Sequence, residues 1–327
     1  MNELRKDYLL DRFVIIAPGR AQRPHLIKPD ENVSQKRDYE SKCTFCPGNE
    51  HMLNGITSEV KKDNNWIIRV VPNKFGAVSL EGDPEVRTAN KFYTYASAYG
   101  VHEVIVETPE HDKELENLSQ EHIMGVLQTY VWRIKELHAM PHIKYVSVFK
   151  NRGIEAGASI PHSHSQVIAY NIKPSWIAEE LRVVYNYIIQ NESCPYCEII
   201  QKEKDSDRRV FENEFFVAFT PYASRFPYEL WIFPKRHVAN IVQLNGDELN
   251  NLASLLKKFL SKLEELGVPP YNLILHNAES DGENYHFYLE ISPRLAKWAG
   301  MELETGTIIN KIQPEEAAKF YRGEWQE

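Results

Sequence analysis

Two histidines and a glutamine stand at alternate positions in the stretch His162-Ser163-His164-Ser165-Gln166. Residues i, i+2 and i+4 of an extended strand share one face, so this spacing predicts that His162, His164 and Gln166 project to the same side. Imidazole nitrogens bind metals and attack electrophiles, and an amide donates hydrogen bonds to anionic oxygens. The stretch therefore predicts a reactive or metal-binding site.

Four cysteines form two Cys-x-x-Cys pairs, and each half of the chain has two histidines at corresponding places. This combination favours tetrahedral Zn²⁺, which takes four sulfur and nitrogen ligands in closed sites. The first predicted site consists of Cys43, Cys46, His111 and His162, and the second of Cys194, Cys197, His237 and His286. Because four protein ligands leave no open position, we predict two structural zinc ions, with iron as an open alternative in the second site. The competing interpretation is that the cysteines are ordinary core thiols and that His111 and His237 are surface histidines.

His164 is the histidine of the motif that the predicted metal site leaves free. The second half carries Tyr288 and Glu290 at the corresponding positions, so only the first half keeps the additional imidazole. A neutral imidazole attacks phosphorus without first losing a proton, and the backbone carbonyl of the anchored His162 is expected to hold its other nitrogen. We therefore predict that His164 is the nucleophile and that Gln166 donates its amide to a phosphoryl oxygen. The alternative is a hydrogen-bonded structural histidine. A candidate phosphate-binding loop of small residues precedes the motif and contains Gly153, Gly157 and Ser159.

An internal repeat indicates which elements position these residues. His111 and His162 are 51 positions apart, and His237 and His286 are 49 positions apart. In each half, apolar residues at three- and four-residue steps between the two histidines predict a helix, with Ser119 as the N-cap of the first. The second helix is expected to begin at a capping box and to end near Gly267. We infer two related modules, residues 1–172 and residues 173–327.

Short runs rich in β-branched and aromatic residues predict strands between these helices. The predicted strands are Phe13–Ile16, Trp66–Val71, Val101–Glu107, Lys144–Lys150, Phe215–Thr220, Glu229–Phe233, Asn272–His276 and His286–Ile291. We expect an α+β fold with one antiparallel sheet in each half, covered on one face by helices. Pro174–Gln190 is expected to form a helical bridge between the halves.

Composition narrows the class of protein. The chain of 327 residues is 43% hydrophobic and 26% charged, which is typical of a globular protein. A net charge of −8 argues against a nucleic-acid or anionic-membrane partner, because binding to phosphate backbones depends on lysine and arginine. The start, MNELRKDYLLDRFVII, has charges where a signal peptide would carry an apolar run, so we expect a cytoplasmic protein.

At these motifs the sequence resembles the galactose-1-phosphate uridylyltransferase family of the histidine-triad superfamily, which includes the ADP-glucose phosphorylases. The resemblance covers nearly the whole chain. It rests on Asp11 to Val14, Arg20 to Pro24, Pro72 to Phe75, Asn151 to Gln166, and Pro221 to His237. It implies that each module is histidine-triad-like, with an antiparallel half-barrel and packed helices, and that the substrates are nucleotide sugars and sugar 1-phosphates. It also implies a homodimer.

The resemblance further implies a double displacement, in which the matching His164 attacks the α-phosphorus of UDP-glucose and holds the nucleotide until a second sugar phosphate collects it. Nucleotide and phosphates would be bound by Arg20, Arg23, Asn73, Asn151, Gly157, Ser159 and Gln166. Near the C-terminus, Lys297 and Glu302 match the positions that contact the hexose.

Ser163, Ser165 and the second cysteine pair depart from many bacterial uridylyltransferases and are closer to the ADP-glucose phosphorylases. The base, uracil or adenine, therefore stays open. The leading hypothesis is uridylyl transfer from UDP-glucose to galactose 1-phosphate, with release of glucose 1-phosphate. The alternatives are an ADP-glucose phosphorylase, a hydrolase that passes the nucleotide to water, and a zinc-stabilised module that binds nucleotides without turnover.

Overall fold

The structure is a computed structural model that describes residues 2–22, 38–278 and 284–324. Its strands are β1 (Glu3–Lys6), β2 (Phe13–Ile16), β3 (Ser58–Lys62), β4 (Asn65–Pro72), β5 (Arg87–Thr88), β6 (Thr94–Tyr95), β7 (Gly100–Val106), β8 (Tyr145–Arg152), β9 (His164–Tyr170), β10 (Arg209–Glu212), β11 (Phe216–Phe219), β12 (Leu230–Pro234), β13 (Tyr271–His276), β14 (Tyr288–Pro293) and β15 (Ile308–Asn310). Its α-helices are α1 (Gln120–His138), α2 (Ser175–Asn191), α3 (Pro195–Glu203), α4 (Gly246–Leu263), α5 (Gly300–Thr305) and α6 (Pro314–Arg322). Within this part of the chain, no helix combines the length and the apolar composition that crossing a bilayer requires.

The two long helices begin where the sequence predicts. The side chain of Ser119 accepts a hydrogen bond from the backbone N–H of His122 and caps α1. Asn245 and Glu248 form a capping box at the start of α4. Gly267, in the left-handed region at φ +82°, ends the short 3₁₀ turn that follows α4. The predicted bridge is also present, as α2.

A ten-stranded sheet runs through both halves in the order β10-β11-β12-β14-β13-β8-β9-β7-β4-β3. All of its pairings are antiparallel. The prediction of antiparallel β-structure with packed helices is therefore confirmed, but the prediction of a separate sheet in each half is wrong. The two five-stranded parts join because β8 pairs with β13, with Asn151 opposite Asn272 and Phe149 opposite Ile274.

The main core lies between one face of this sheet and helices α1 and α4. Buried residues of both helices, including Ile134 and Leu256, form one hydrophobic cluster with Val148 and Val167 of the first half and Leu289 of the second. Burial of each such side chain stabilises the fold by roughly 1.5–3 kcal/mol. Since Val167 faces this core, the alternation of β9 turns His164 and Gln166 to the opposite face.

The start of β7 approaches β9 so closely that only glycine fits. Gly100 pairs with Tyr170 and has φ +155°. A Cβ atom at this position would lie 1.9 Å from the backbone oxygen of Ala169. The contact fixes the register of the strand that carries the histidine motif.

Candidate active site

His164 is the first residue of β9 and is 6% exposed. Its Nδ1 lies 2.7 Å from the backbone oxygen of His162, as the sequence predicts. A carbonyl only accepts, so Nδ1 carries the ring proton and Nε2 keeps its lone pair. Burial lowers the pKa of His164 despite that hydrogen bond, and Lys150 adds to the effect, so the imidazole is neutral near pH 7. The arrangement provides a neutral imidazole whose Nε2 is unprotonated.

The two serines that flank His164 are held from behind by one buried carboxylate. Ser163 Oγ donates to Glu107 Oε2 at 2.6 Å, and Ser165 Oγ donates to Glu107 Oε1. Lys150 Nζ lies 2.8 Å from the same carboxylate and 2.8 Å from Ser163 Oγ. Burial raises the pKa of Glu107, but Lys150 and the serine hydroxyls outweigh burial and lower it. Glu107 therefore stays ionised and fixes the backbone on both sides of the imidazole.

Gln166 lies two residues further along the same face as His164. Its Oε1 is 2.9 Å from Nε2 of His102, which is half-buried on β7. Asn73 follows β4, and its backbone N–H donates to the carbonyl of His102 at 2.9 Å. The structure thus brings Asn73 and Gln166 together around a histidine that the sequence analysis did not select.

The loop of small residues borders a cavity of about 230 Å³ that also contains His164 and Asn151. Gly157 adopts φ +91° and ends the 3₁₀ helix Ile154–Ala156, which turns the chain back toward the motif. Asn151 Oδ1 accepts a hydrogen bond from Asn272 Nδ2 at 2.8 Å, so the Asn151 amide nitrogen points elsewhere and lies near Gly157. Ser159 lines the same cavity. The loop, Asn151 and His164 therefore line one space.

Each half brings two cysteines and two histidines together as predicted. The ligand atoms of Cys43, Cys46, His111 and His162 lie within 4.8 Å of one another, and so do those of Cys194, Cys197, His237 and His286. Sulfur-to-Nδ1 distances within the two groups are 3.4–3.7 Å. A tetrahedral zinc ion with ordinary bond lengths separates sulfur from nitrogen by about 3.6 Å. Both groups can bind a metal ion.

In the first metal-binding group, the surroundings of His162 leave its Nδ1 free of a proton and able to bind a metal ion. His162 lies two residues before β9 rather than within it, and its ring faces Cys43 and Cys46. Like His164, it contacts the ring of Phe45. Its Nε2 donates to the carbonyl of Thr108 at 2.7 Å, which leaves Nδ1 as the ligand atom. Burial lowers the pKa of His162 to about 4, so the ring is neutral. In the second group, His286 likewise precedes β14, and its Nε2 donates to the carbonyl of Pro234 at 2.9 Å.

The second half has no equivalent of the bare nitrogen at the corresponding positions. Tyr288 stacks on His276 with ring centroids 4.1 Å apart, and its hydroxyl donates to Glu180. Both carboxylate oxygens of Glu290 accept hydrogen bonds from Arg225. These side chains are buried and engaged with one another, so the asymmetry between the halves that the sequence indicated is present in the structure.

The structure describes three of the four remaining predicted binding residues, and their surroundings differ. Arg20 lies in the 3₁₀ helix Pro18–Gln22, and its buried Nε has no hydrogen-bond partner among the described residues. Arg23 lies outside the described residues. Lys297 Nζ pairs with Glu155 at 2.9 Å, beside the loop of small residues. Glu302 accepts a hydrogen bond from the backbone of Ala299 and caps α5, with no described contact to the cavity.

Comparison with known proteins identifies the class. Family models described as the N-terminal and C-terminal domains of galactose-1-phosphate uridyl transferase match residues 1–174 and 180–304. The chain therefore belongs to the galactose-1-phosphate uridyl transferase family. It is a nucleotidyltransferase.

Individual relatives fall into two groups. The chain is 34% identical to the ADP-glucose phosphorylase of Arabidopsis thaliana, over 98% of this chain and 92% of that one. It is 28% identical to the galactose-1-phosphate uridylyltransferase of Thermotoga maritima, over 98% of each. The crystal structure of an Arabidopsis thaliana ADP-glucose phosphorylase with bound ADP-glucose superposes with a TM-score of 0.84 at 33% identity, covering 98% of both chains. A uridylyltransferase structure superposes with a TM-score of 0.77 at 28% identity, covering 99% of this chain and 98% of that one.

Proposed function

We propose that this protein is a UDP-glucose–hexose-1-phosphate uridylyltransferase that works by double displacement through His164. The observation that carries the proposal is the hydrogen bond from His164 Nδ1 to the carbonyl of His162, which leaves Nε2 bare beside the cavity. Family membership supports the reaction class, and the relative in Thermotoga maritima bears the name of the specific activity.

In the first half-reaction, the lone pair of His164 Nε2 forms a bond to the α-phosphorus of UDP-glucose. The bond between that phosphorus and the bridging oxygen breaks, and glucose 1-phosphate leaves with the electron pair. The ring keeps its Nδ1 proton, so the imidazole of the uridylyl-histidine carries a positive charge that the His162 carbonyl stabilises. In the second half-reaction, a phosphate oxygen of galactose 1-phosphate attacks the same phosphorus and restores the neutral ring.

The other predicted residues take binding roles in this proposal. Gln166 and the amide nitrogen of Asn151 donate to phosphoryl oxygens, while the turn at Gly157 and the Ser159 hydroxyl line the phosphate path. The Nε of Arg20, which has no hydrogen-bond partner within residues 2–22, 38–278 and 284–324, is a donor for a nucleotide oxygen. Nucleotide contacts by Arg23 and Asn73 and hexose contacts by Lys297 and Glu302 stay predictions from the family resemblance.

Two zinc ions complete the proposal, held by the Cys₂His₂ group of each half. The sulfur-to-nitrogen distances and the carbonyl-oriented imidazoles of His162 and His286 support this metal. Zinc bound here ties the strands to the preceding loops and supplies folding free energy. We further propose that residues 1–172 and 173–327 are two related histidine-triad-like modules, which the matching metal groups support. A homodimer stays a prediction.

ADP-glucose phosphorylase is the second candidate, with inorganic phosphate as the acceptor. The similarity to the Arabidopsis thaliana enzyme in sequence and in structure favours it. Both candidates use the same nucleophile and differ in the base and in the acceptor.

The experiment is mass analysis of the intact protein after incubation with UDP-glucose or with ADP-glucose. A uridylyl adduct that galactose 1-phosphate discharges supports the first candidate, and an adenylyl adduct that phosphate discharges supports the second. His164→Ala should form no adduct while retaining both metals, and the exposed His51→Ala variant should behave as wild type. Nucleotide release without an adduct, or an adduct on the His164→Ala variant, contradicts the proposal.

A further inference from the structure

The proton position of His102 is inferred from the hydrogen bond that its Nδ1 accepts. Its Nδ1 lies 3.0 Å from the backbone nitrogen of Ala77, and an amide N–H only donates. Nδ1 is therefore the unprotonated nitrogen, and the neutral ring carries its proton on Nε2. Because burial lowers the pKa of His102 despite its hydrogen bond to Gln166, the ring stays neutral near pH 7.

The proton on Nε2 in turn orients the amide of Gln166. Nε2 lies 2.9 Å from one arm of that amide, and a donor requires an acceptor opposite, so the arm is the oxygen Oε1. The NH₂ arm then points away from His102 and is available to a ligand. The Nδ2 of Asn73 is 3.1 Å from the same ring nitrogen, but the Asn73 oxygen accepts from the backbone of Phe75. The Asn73 nitrogen is therefore itself a donor, so its contact with the protonated Nε2 is not a hydrogen bond, and the Gln166 oxygen is the acceptor of the ring proton.

The Nδ1 side of the His102 ring holds the loop formed by residues 73–77. The segment 73–77 is fixed at one end by the backbone hydrogen bond from Asn73 to the carbonyl of His102 and at the other by Ala77. Phe75, between these anchors, is 85% exposed. A single imidazole thus connects this segment to Gln166.

We propose that His102 is a positioning residue with two separable functions: its Nε2–H aims the Gln166 amide at the phosphoryl group, and its Nδ1 holds the segment 73–77 in place for the nucleotide. The proposal rests on the proposed function, because Gln166 must face the reacting phosphate. His102 does not touch the reacting atoms and acts through its neighbours.

Two substitutions separate the functions. His102→Gln places an amide nitrogen near the position of Nε2 and keeps a donor for Gln166, but it removes the acceptor for Ala77. His102→Asn places an oxygen near the position of Nδ1 and keeps the acceptor for Ala77, but it removes the donor for Gln166. Each substitution thus preserves one contact and deletes the other.

We measure the rate of adduct formation as a function of nucleotide-sugar concentration, using whichever of UDP-glucose and ADP-glucose labels the wild type. His102→Asn should lower the maximal rate by about tenfold or more with little change in half-saturation, as expected for loss of one hydrogen bond to the transition state. His102→Gln should raise the half-saturation concentration several-fold and retain most of the maximal rate. His102→Phe should show both defects. Equal effects of the Asn and Gln substitutions on both parameters would overturn the proposal.

A readout independent of activity is the tautomer of His102, measured by long-range ¹H–¹⁵N NMR of histidine-labelled protein and assigned by the loss of the signal in His102→Gln. The expected result is a pyridine-type Nδ1 and a protonated Nε2. A protonated Nδ1 would overturn the proposal. If the wild type forms no adduct, the proposed function is wrong, and the tautomer still decides the hydrogen-bond assignment. Metal content and melting temperature, compared with wild type, identify a variant that is merely misfolded.

Discussion

Lys150 makes the buried ion pair behind the histidine strand, and replacing it with methionine should strongly destabilise the protein. Lys150 is 1% exposed and Glu107 is 0% exposed. Besides Glu107 and Ser163, Lys150 Nζ has Glu114 Oε2 at 3.2 Å, so the substitution leaves a buried carboxylate without its cation. Removing one partner of a buried ion pair costs about 3–5 kcal/mol, because the remaining charge keeps its desolvation penalty.

Urea denaturation followed by tryptophan fluorescence measures this loss. With an m value of about 3 kcal/mol/M, the midpoint should fall by about 1 M or more. The exposed Lys144→Met variant, at the residue before β8, is the matched control and should unfold at the wild-type midpoint. The double variant Glu107→Gln with Lys150→Met should recover part of the loss, because it removes the unpaired charge. A wild-type midpoint for Lys150→Met alone would refute the inference that these groups form a buried pair.

Three further predictions concern metal, packing and acid. Cys43→Ser should lower the metal content by one ion per chain and lower the melting temperature, as elemental analysis and calorimetry would show; unchanged values would remove the first zinc assignment. Gly100→Ala should cost more than about 2 kcal/mol in thermal unfolding, because its Cβ would overlap the oxygen of Ala169, whereas Gly246→Ala, with nothing within 4 Å of the added Cβ, should be tolerated. The pKa of Glu107 is lowered in the folded state, so its stabilisation is present above the unfolded value of about 4.3 and is lost as pH falls through the folded value. Wild type should therefore lose more stability than the double variant between about pH 5 and pH 3, and equal losses would contradict the ionised state of Glu107.

The metal groups and the long helices were predictable because their signals are local or repeated. Ser119 and Asn245 mark helix starts through hydrogen bonds three residues away, and apolar periodicity defines the helices that follow. The spacing of the cysteines and histidines recurs in both halves. A repeated spacing is stronger evidence for metal-binding groups than a single motif, which could arise by chance. The prediction that His164 is the nucleophile followed by elimination, once His162 was assigned to the predicted metal site.

The joined sheet and the supporting residues were not predictable from the same signals. Pairing of β8 with β13 brings together residues 121 positions apart, such as Asn151 and Asn272, and neither strand carries a local mark of its partner. His102 sits on a strand with ordinary alternation, and only the tertiary contacts with Ala77 and Gln166 show what its ring does. Charged side chains usually lie in solvent, so the sequence alone predicts an exposed Lys150, whereas the structure buries it.

The pairing of β8 with β13, called the seam below, means that each half covers an otherwise exposed strand edge of the other half. Either half expressed alone would present a row of unpaired N–H and C=O groups, bordered by the β-branched side chains of a long inner strand, and would be prone to assemble with other copies through that edge. The seam also closes only after residues far apart in the chain have met, which predicts slow folding in which neither half is finished before the other. A cut between the halves should therefore be tolerated only when both pieces are made together.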